Sequence, residues 1–226
     1  MKERMRAAAL FGVVMVLTGS AAMAEDDRGR RTFEVTITNI TKGQVFSPPV
    51  LVTHNRRIAL FEVGAPAIDE LALVAEDGLA QPLTDLANDQ REVAEAIAGA
   101  GPIPPGASAI YEINSRRNFP LLSVVTMMVN TNDAFIAINS ERLPRNKNGT
   151  ATYYALGYDA GSEANNEDCA FIPGPACAMG SGNMRATEDA EGYVHIHNGV
   201  HGIADLGPAA YDWRNPVARI TVRRTR

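Results

Sequence analysis

The sequence predicts a mainly β protein: an antiparallel β-sandwich of about eight strands with a short helical insert. Three observations carry this expectation. Short runs alternate apolar and polar residues with period two, as in Phe33-Glu34-Val35-Thr36-Ile37-Thr38, the pattern of a strand with one buried face. Segments rich in Gly, Pro and Asn separate the runs. Finally, most of the runs lack intervening helices of the kind that crossovers in a parallel sheet require.

Taken in order, the chain opens with Met1-Lys2-Glu3-Arg4-Met5-Arg6, an apolar run over residues 7–17, and small residues ending Ala22-Met23-Ala24. A basic start, an apolar middle and an Ala-x-Ala site read as a secretory signal peptide, residues 1–24, cleaved after Ala24. The apolar run is too short to span a bilayer, and no Cys stands at the cleavage point to take a lipid anchor. Residues 25–32 read as a charged linker and 33–226 as one domain, a size that supports a sizeable core. Strands are expected at residues 33–38, 50–53, 107–114, 121–129, 134–139, 151–158, 193–198 and 217–224. Between the second and third of these, residues 68–75 and 83–98 are rich in Ala, Glu, Leu and Gln. Leu83, Leu86, Val93 and Ile97 fall on a helical stripe, so one or two helices are expected there, capping one end of the sheets.

Composition narrows the partners. The chain carries 21 Lys and Arg against 26 Asp and Glu, a formal charge of −5. Signal-peptide removal takes Lys2, Arg4 and Arg6 but only Glu3, leaving a still more acidic chain. Such a balance argues against nucleic acid and anionic lipid as partners. Nothing in the mature chain argues for membrane insertion. Arg219, Arg223, Arg224 and Arg226 read as a solvated strand face, and His54, Arg56 and Arg57 as an exposed turn. Cys169 and Cys177 are the only two cysteines. An even pair in an exported chain reads as a disulfide, and the spacing is wider than a Cys-x-x-Cys metal clip. Together these features place the protein in a secreted or periplasmic setting.

Two acidic loops stand out. Asn130-Thr131-Asn132-Asp133 precedes one apolar run, and Tyr158-Asp159-Ala160-Gly161-Ser162-Glu163 follows another. If the two runs pair as antiparallel neighbours, Asp133 and Asp159 meet at one end of a sheet. With Glu163, and with Asn132, Asn165, Glu167 or loop carbonyls completing the shell, they form a hard oxygen-donor set suited to Ca²⁺. The alternative is that these Asp side chains only bond their own turns, as Asp and Asn routinely do.

The same residues resemble the paired signatures of the spondin domain, in which an acidic loop before a strand is followed by a Trp-Asp-Ala-Gly-Thr-Asp-like loop. The order, the separation and the Asp159-Ala160-Gly161 centre agree; Tyr158 stands in place of Trp and Glu163 in place of Asp. The resemblance implies a C2-like antiparallel sandwich with calcium between those loops. It also implies a binding, adhesion or envelope-structural role toward a protein or glycan partner.

A second cluster, His195-Ile196-His197-Asn198-Gly199-Val200-His201, places His195 and His197 on one face of a strand, with His201 beyond a turn. It is either a hydrogen-bonded surface group or a transition-metal site, which would make the protein a metal-dependent enzyme. No catalytic residue is assigned. There is no Gly-x-Ser-x-Gly elbow, and Gly180-Ser181-Gly182 lacks the strand-to-helix context of a phosphate loop. Trp213, the single Trp, is expected to anchor the core beside Asp212 and Arg214. Asn39-Ile40-Thr41 and Asn148-Gly149-Thr150 match glycosylation sequons.

Overall fold

The computed structural model describes residues 29–177 and 184–226. Among them are nine strands: β1 (Arg31–Asn39), β2 (Val50–His54), β3 (Val93–Ala98), β4 (Ser108–Ser115), β5 (Leu121–Met127), β6 (Ala134–Arg142), β7 (Thr150–Asp159), β8 (His195–Ile196) and β9 (Ala218–Arg224). Their order is β3-β2-β5-β6-β7-β9-β1-β4, with β8 also on β7, and every pairing is antiparallel. The two ends of this order approach each other: Asn114 Nδ2 of β4 donates to Glu95 Oε1 of β3 at 3.0 Å, and Thr53 Oγ1 of the neighbouring β2 donates to the Asn114 carbonyl at 2.6 Å. The sheet is thereby nearly closed.

Strand β7 turns this one sheet into two layers. Its first half, through Ala155, pairs with β9, while its second half, from Leu156, pairs with β6. Phe33, Val35 and Ile37 of β1 and Ile220 and Val222 of β9 face Leu51, Leu122, Val124, Ile136 and Ile138 of the other layer, all buried in one core. These are the apolar positions of the alternating runs, and their burial is the main favourable term for the fold.

The second layer is buried on its outer face too. Helices α1 (Asp69–Asp77) and α2 (Ala80–Asn88) lay Leu71, Val74, Leu83 and Ala87 over Val50, Val52, Val125, Phe135 and Ala137. All seven residues of β5 are consequently buried. A run such as Leu121-Leu122-Ser123-Val124-Val125, without clean alternation, is what a strand covered on both faces requires.

Several expectations are corrected here. The helical insert covers a face of the sheet rather than capping its end, because only a face offers enough apolar area to bury two helical stripes. Helix does not run to residue 98: α2 stops at Asn88, and Val93–Ala98 is strand β3. The Asn88 side chain grips the backbone of Ala96, donating to its carbonyl at 3.0 Å and accepting from its N–H at 2.9 Å. The open edge of β2 supplies the rest of the ladder. Strand β8 is shorter than the expected 193–198, and β1 begins at Arg31, within the span assigned to the linker. His54 is buried at the end of β2, its ring bonded to the Asn55 carbonyl and Ser123 Oγ, while Arg56 and Arg57 are exposed. The signal peptide assignment, and with it the first half of the linker, lies outside the described residues. So does Gly180-Ser181-Gly182.

Candidate functional site

The acidic loops meet at the end of the β6–β7 pair, where Ala134 is in register with Asp159 and Ala160 N–H donates to the Asp133 carbonyl at 3.2 Å. The first loop is built by its own polar residues. Thr131 Oγ1 donates to the Met128 carbonyl at 2.6 Å and accepts from Ala134 N–H at 3.1 Å. Asn130 donates to Gly43 O and accepts from Ala176 N–H, tying the loop to the one closed by the Cys169–Cys177 disulfide. In the second loop Gly161 has a φ of 66°, and a Cβ there would run into the backbone of Tyr193. Only glycine fits that turn.

Asp133, Asp159 and Glu163 are all fully buried. Asp133 Oδ2 accepts from Ser162 N–H at 2.8 Å, Ser162 Oγ–H at 3.2 Å and Glu163 N–H at 3.0 Å. Its Oδ1 is buried without a hydrogen-bond partner, and so is Oε2 of Glu163, whose Oε1 accepts from Ala186 N–H at 3.2 Å. Asp159 accepts from Gly161 N–H at 2.8 Å and Asn165 Nδ2 at 2.6 Å. Burial, and then the Asp159 charge, raise the Asp133 carboxyl well above the ordinary range. Burial also raises Asp159, against the pull of the Asn165 and Gly161 donors. Glu163 is pushed up to about 7 by burial and by Glu76. Asp133 feels the charge of Asp159, and Glu163 that of Asp133, so full ionisation of these buried acids is costly without a counter-charge. Among the described residues, however, it is Asp159, Glu191 and His195, and not Asp133, Asp159 and Glu163, whose ligand atoms all lie within 4.8 Å of one another.

Part of that counter-charge comes from a residue the sequence did not flag. Arg185 Nε lies 2.7 Å from Glu76 and 3.9 Å from Glu163, and its guanidinium also pairs with Asp77. It joins the end of α1 to the acidic loop, a contact between segments far apart in sequence that no local pattern announces.

The other expected ligands divide. Asn165 is at the site through its bond to Asp159. Asn132 spends its amide on the loop, donating to Asn166 Oδ1 at 3.0 Å and accepting from Glu167 N–H at 3.3 Å. Glu167, with φ 58°, aims its carboxylate elsewhere: Oε2 accepts from Gly202 N–H at 2.7 Å and Ile203 N–H at 2.9 Å, and Oε1 accepts from His201 N–H. It closes a backbone nest and fastens the 201–203 turn.

The histidines also divide. His195 Nδ1 and His197 Nε2 each lie 3.7 Å from an Asp159 oxygen. His197 is buried against Trp213, with ring centroids 4.9 Å apart. Burial, and then His195 and His201, lower it to about 3, so it is neutral and its contact with Asp159 is not an ion pair. Its Nδ1 accepts from Gly199 N–H at 2.9 Å, which leaves the proton on Nε2, facing Asp159. His201 is exposed, and its backbone N–H serves Glu167. Asp159, Glu191 and His195 each offer a ligand atom, and these atoms all lie within 4.8 Å of one another. Trp213 is buried, with Asp212 and Arg214 paired beside it. Of the two sequons, Asn39 is buried with its amide bonded to Gln44 O and Ile103 O, while Asn148 is exposed.

No curated protein matches the chain. The Spondin_N family model matches residues 32–166, more than half of the sequence, from the start of β1 through the second acidic loop. The chain therefore belongs to the Spondin_N family.

Proposed function

We propose that this protein is an exported calcium-binding β-sandwich module whose role is binding, adhesion or envelope structure toward a protein or glycan partner, and not catalysis. The observation that carries the reading is the pair of buried carboxylate oxygens without partners, Asp133 Oδ1 and Glu163 Oε2, beside the buried Asp159. A buried polar atom without a partner costs about 1–3 kcal/mol, and more if charged; a hard cation relieves that cost and the crowding of the acids together. The donor set is all oxygen, as Ca²⁺ prefers, and Asp133, Asp159 and Glu163 would hold it. The ion would neutralise the carboxylates and fix the two loops to each other. The disulfide fits an oxidising compartment, and among the described residues no helix is long and apolar enough to cross a membrane.

The test is a thermal melt of protein freed of metal, with and without calcium. Calcium raises the melting temperature, EDTA reverses the rise, and Asp159→Ala abolishes it; identical melts under all conditions would sink the reading. A second reading, a transition-metal enzyme, is favoured by the proximity of Asp159, Glu191 and His195. Elemental analysis of untagged protein discriminates: near-stoichiometric zinc or iron favours the enzyme, and its absence favours the calcium module.

A further inference from the structure

The end of the sandwich opposite the acidic loops gathers arginines. The start of β1, the turn after β2, the β4–β5 connection, the end of β6 and the β6–β7 loop bring Arg31, Arg56, Arg116, Arg117, Arg142 and Arg145 around one cavity of about 530 Å³. These residues are scattered over more than a hundred positions, so the sequence shows only isolated pairs. Phe33 and Leu143, both buried, form part of the floor. Among the described residues lining the cavity, none is acidic. Arg31, Arg56, Arg117, Arg142 and Arg145 make no ion pair with a described residue. The adjoining hollow repeats Arg56 and Arg142 and adds Arg57.

Such crowding of like charges is unfavourable. Burial, and then the neighbouring Arg224 and Arg117 charges, lower the affinity of Arg31 for its proton. On a chain with a net charge of −5, the guanidiniums of Arg31, Arg56, Arg117, Arg142 and Arg145, with no acidic residue among the described lining residues, focus a positive field into a concave space. Guanidinium is the side chain best matched to phosphate and sulfate oxygens, because its planar fork donates two parallel hydrogen bonds. The cavity falls within the usual size of a small-ligand site, roughly 300–1,000 Å³. The apolar floor suits the body of a sugar-sized scaffold, and the rim suits the charged groups upon it.

We propose that this pocket binds a compact ligand carrying one or more phosphate or sulfate groups. Such chemistry is found both on free sulfated or phosphorylated glycans and on phosphomonoester lipid headgroups. The site shares no residue with the acidic loops, so its occupation does not depend on calcium there.

Calorimetric titration with sucrose octasulfate tests it, alongside co-sedimentation with phosphatidylcholine vesicles with or without phosphatidic acid. Binding of the soluble probe is expected to weaken as salt is raised. It should weaken at least about tenfold in the Arg117→Glu/Arg142→Glu double variant, the loss of two charge-assisted contacts. Arg91→Glu/Arg219→Glu changes the net charge equally at exposed positions outside the pocket, and should stay within about twofold of the parent on the same scale. Capture by vesicles only when phosphatidic acid is present assigns the headgroup as a source; soluble binding without capture assigns the free ligand. Both double variants alter exposed side chains, and unchanged melts confirm that they fold. The proposal is overturned if neither probe binds, if the pocket variant binds like the parent, or if the distal variant loses as much as the pocket variant.

Discussion

The two ends of the sandwich meet the same difficulty, like charges held close together, in opposite ways. At the acidic end, Asp133, Asp159 and Glu163 are buried, so water cannot screen them. The fold answers with backbone donors, raised proton affinities and Arg185. At the basic end, Arg56, Arg117, Arg142 and Arg145 are exposed, and solvent and salt carry the burden. A ligand at the first end becomes part of the folding free energy, whereas a ligand at the second is bound by a surface that is already stable. Burial, more than charge, decides whether a site belongs to the architecture.

The largest expected effect tests the scaffold beneath the acidic end. Phe135 is fully buried, edge-on to Phe61 at 5.2 Å and stacked on Tyr158 at 5.6 Å. Phe135→Ala should cost about 3–5 kcal/mol in denaturant unfolding, with or without calcium. A cost seen only with calcium would mean that the ring acts through the ion site.

Next comes calcium itself. At a hundred times its dissociation constant it should add about 2.7 kcal/mol, a rise in melting temperature of roughly 5–10 °C for a domain of this size. The raised carboxyls hold protons in the folded state that the unfolded chain has released. Without metal, their contribution is therefore fully present at low pH and is lost as pH rises from the ordinary carboxylate range through about 7, the Glu163 value. Calcium requires the ionised form, so its increment should grow across that same window. His197, held neutral, acts in the opposite direction below its ordinary value, but it contributes to melts with and without calcium and largely cancels in the difference. An increment independent of pH would break the link between the ion and these acids.

Glu167→Gln is a smaller and sharper test. Removing the charge from the nest at His201, Gly202 and Ile203 should cost about 1–3 kcal/mol and leave the calcium increment intact. Loss of the increment would put Glu167 among the ligands. The smallest effect belongs to the basic end: Arg117→Glu/Arg142→Glu should change stability by no more than about 0.5 kcal/mol. A larger loss would show that the arginines are structural after all.

The meeting of Asp133 and Asp159 at one end of the sheet was legible because both sit where an apolar run begins or ends, and those runs pair. The strands with clean alternation, β1 and β9 above all, were legible for the same reason. Strand β3 was not. Val93-Ala94-Glu95-Ala96-Ile97-Ala98 has the residues of a helix, and only the edge of β2 and the Asn88 side chain make it a strand, a tertiary override of local propensity. The roles of Arg185 and Glu167 were hidden too, since each depends on contacts with distant segments and, for Glu167, on a left-handed backbone. The arginine cavity was the hardest to read, because His54, Arg56 and Arg57 look like an ordinary turn until the fold sets four other segments beside them.

Strand β7 has one more consequence. It runs from the loop that carries Arg145 to Asp159 itself, and ten extended residues span roughly 30 Å. That distance exceeds the screening length of about 8 Å at physiological ionic strength, so the opposite charges of the two ends do not cancel each other. Strand β7 thus separates a basic end from an acidic one.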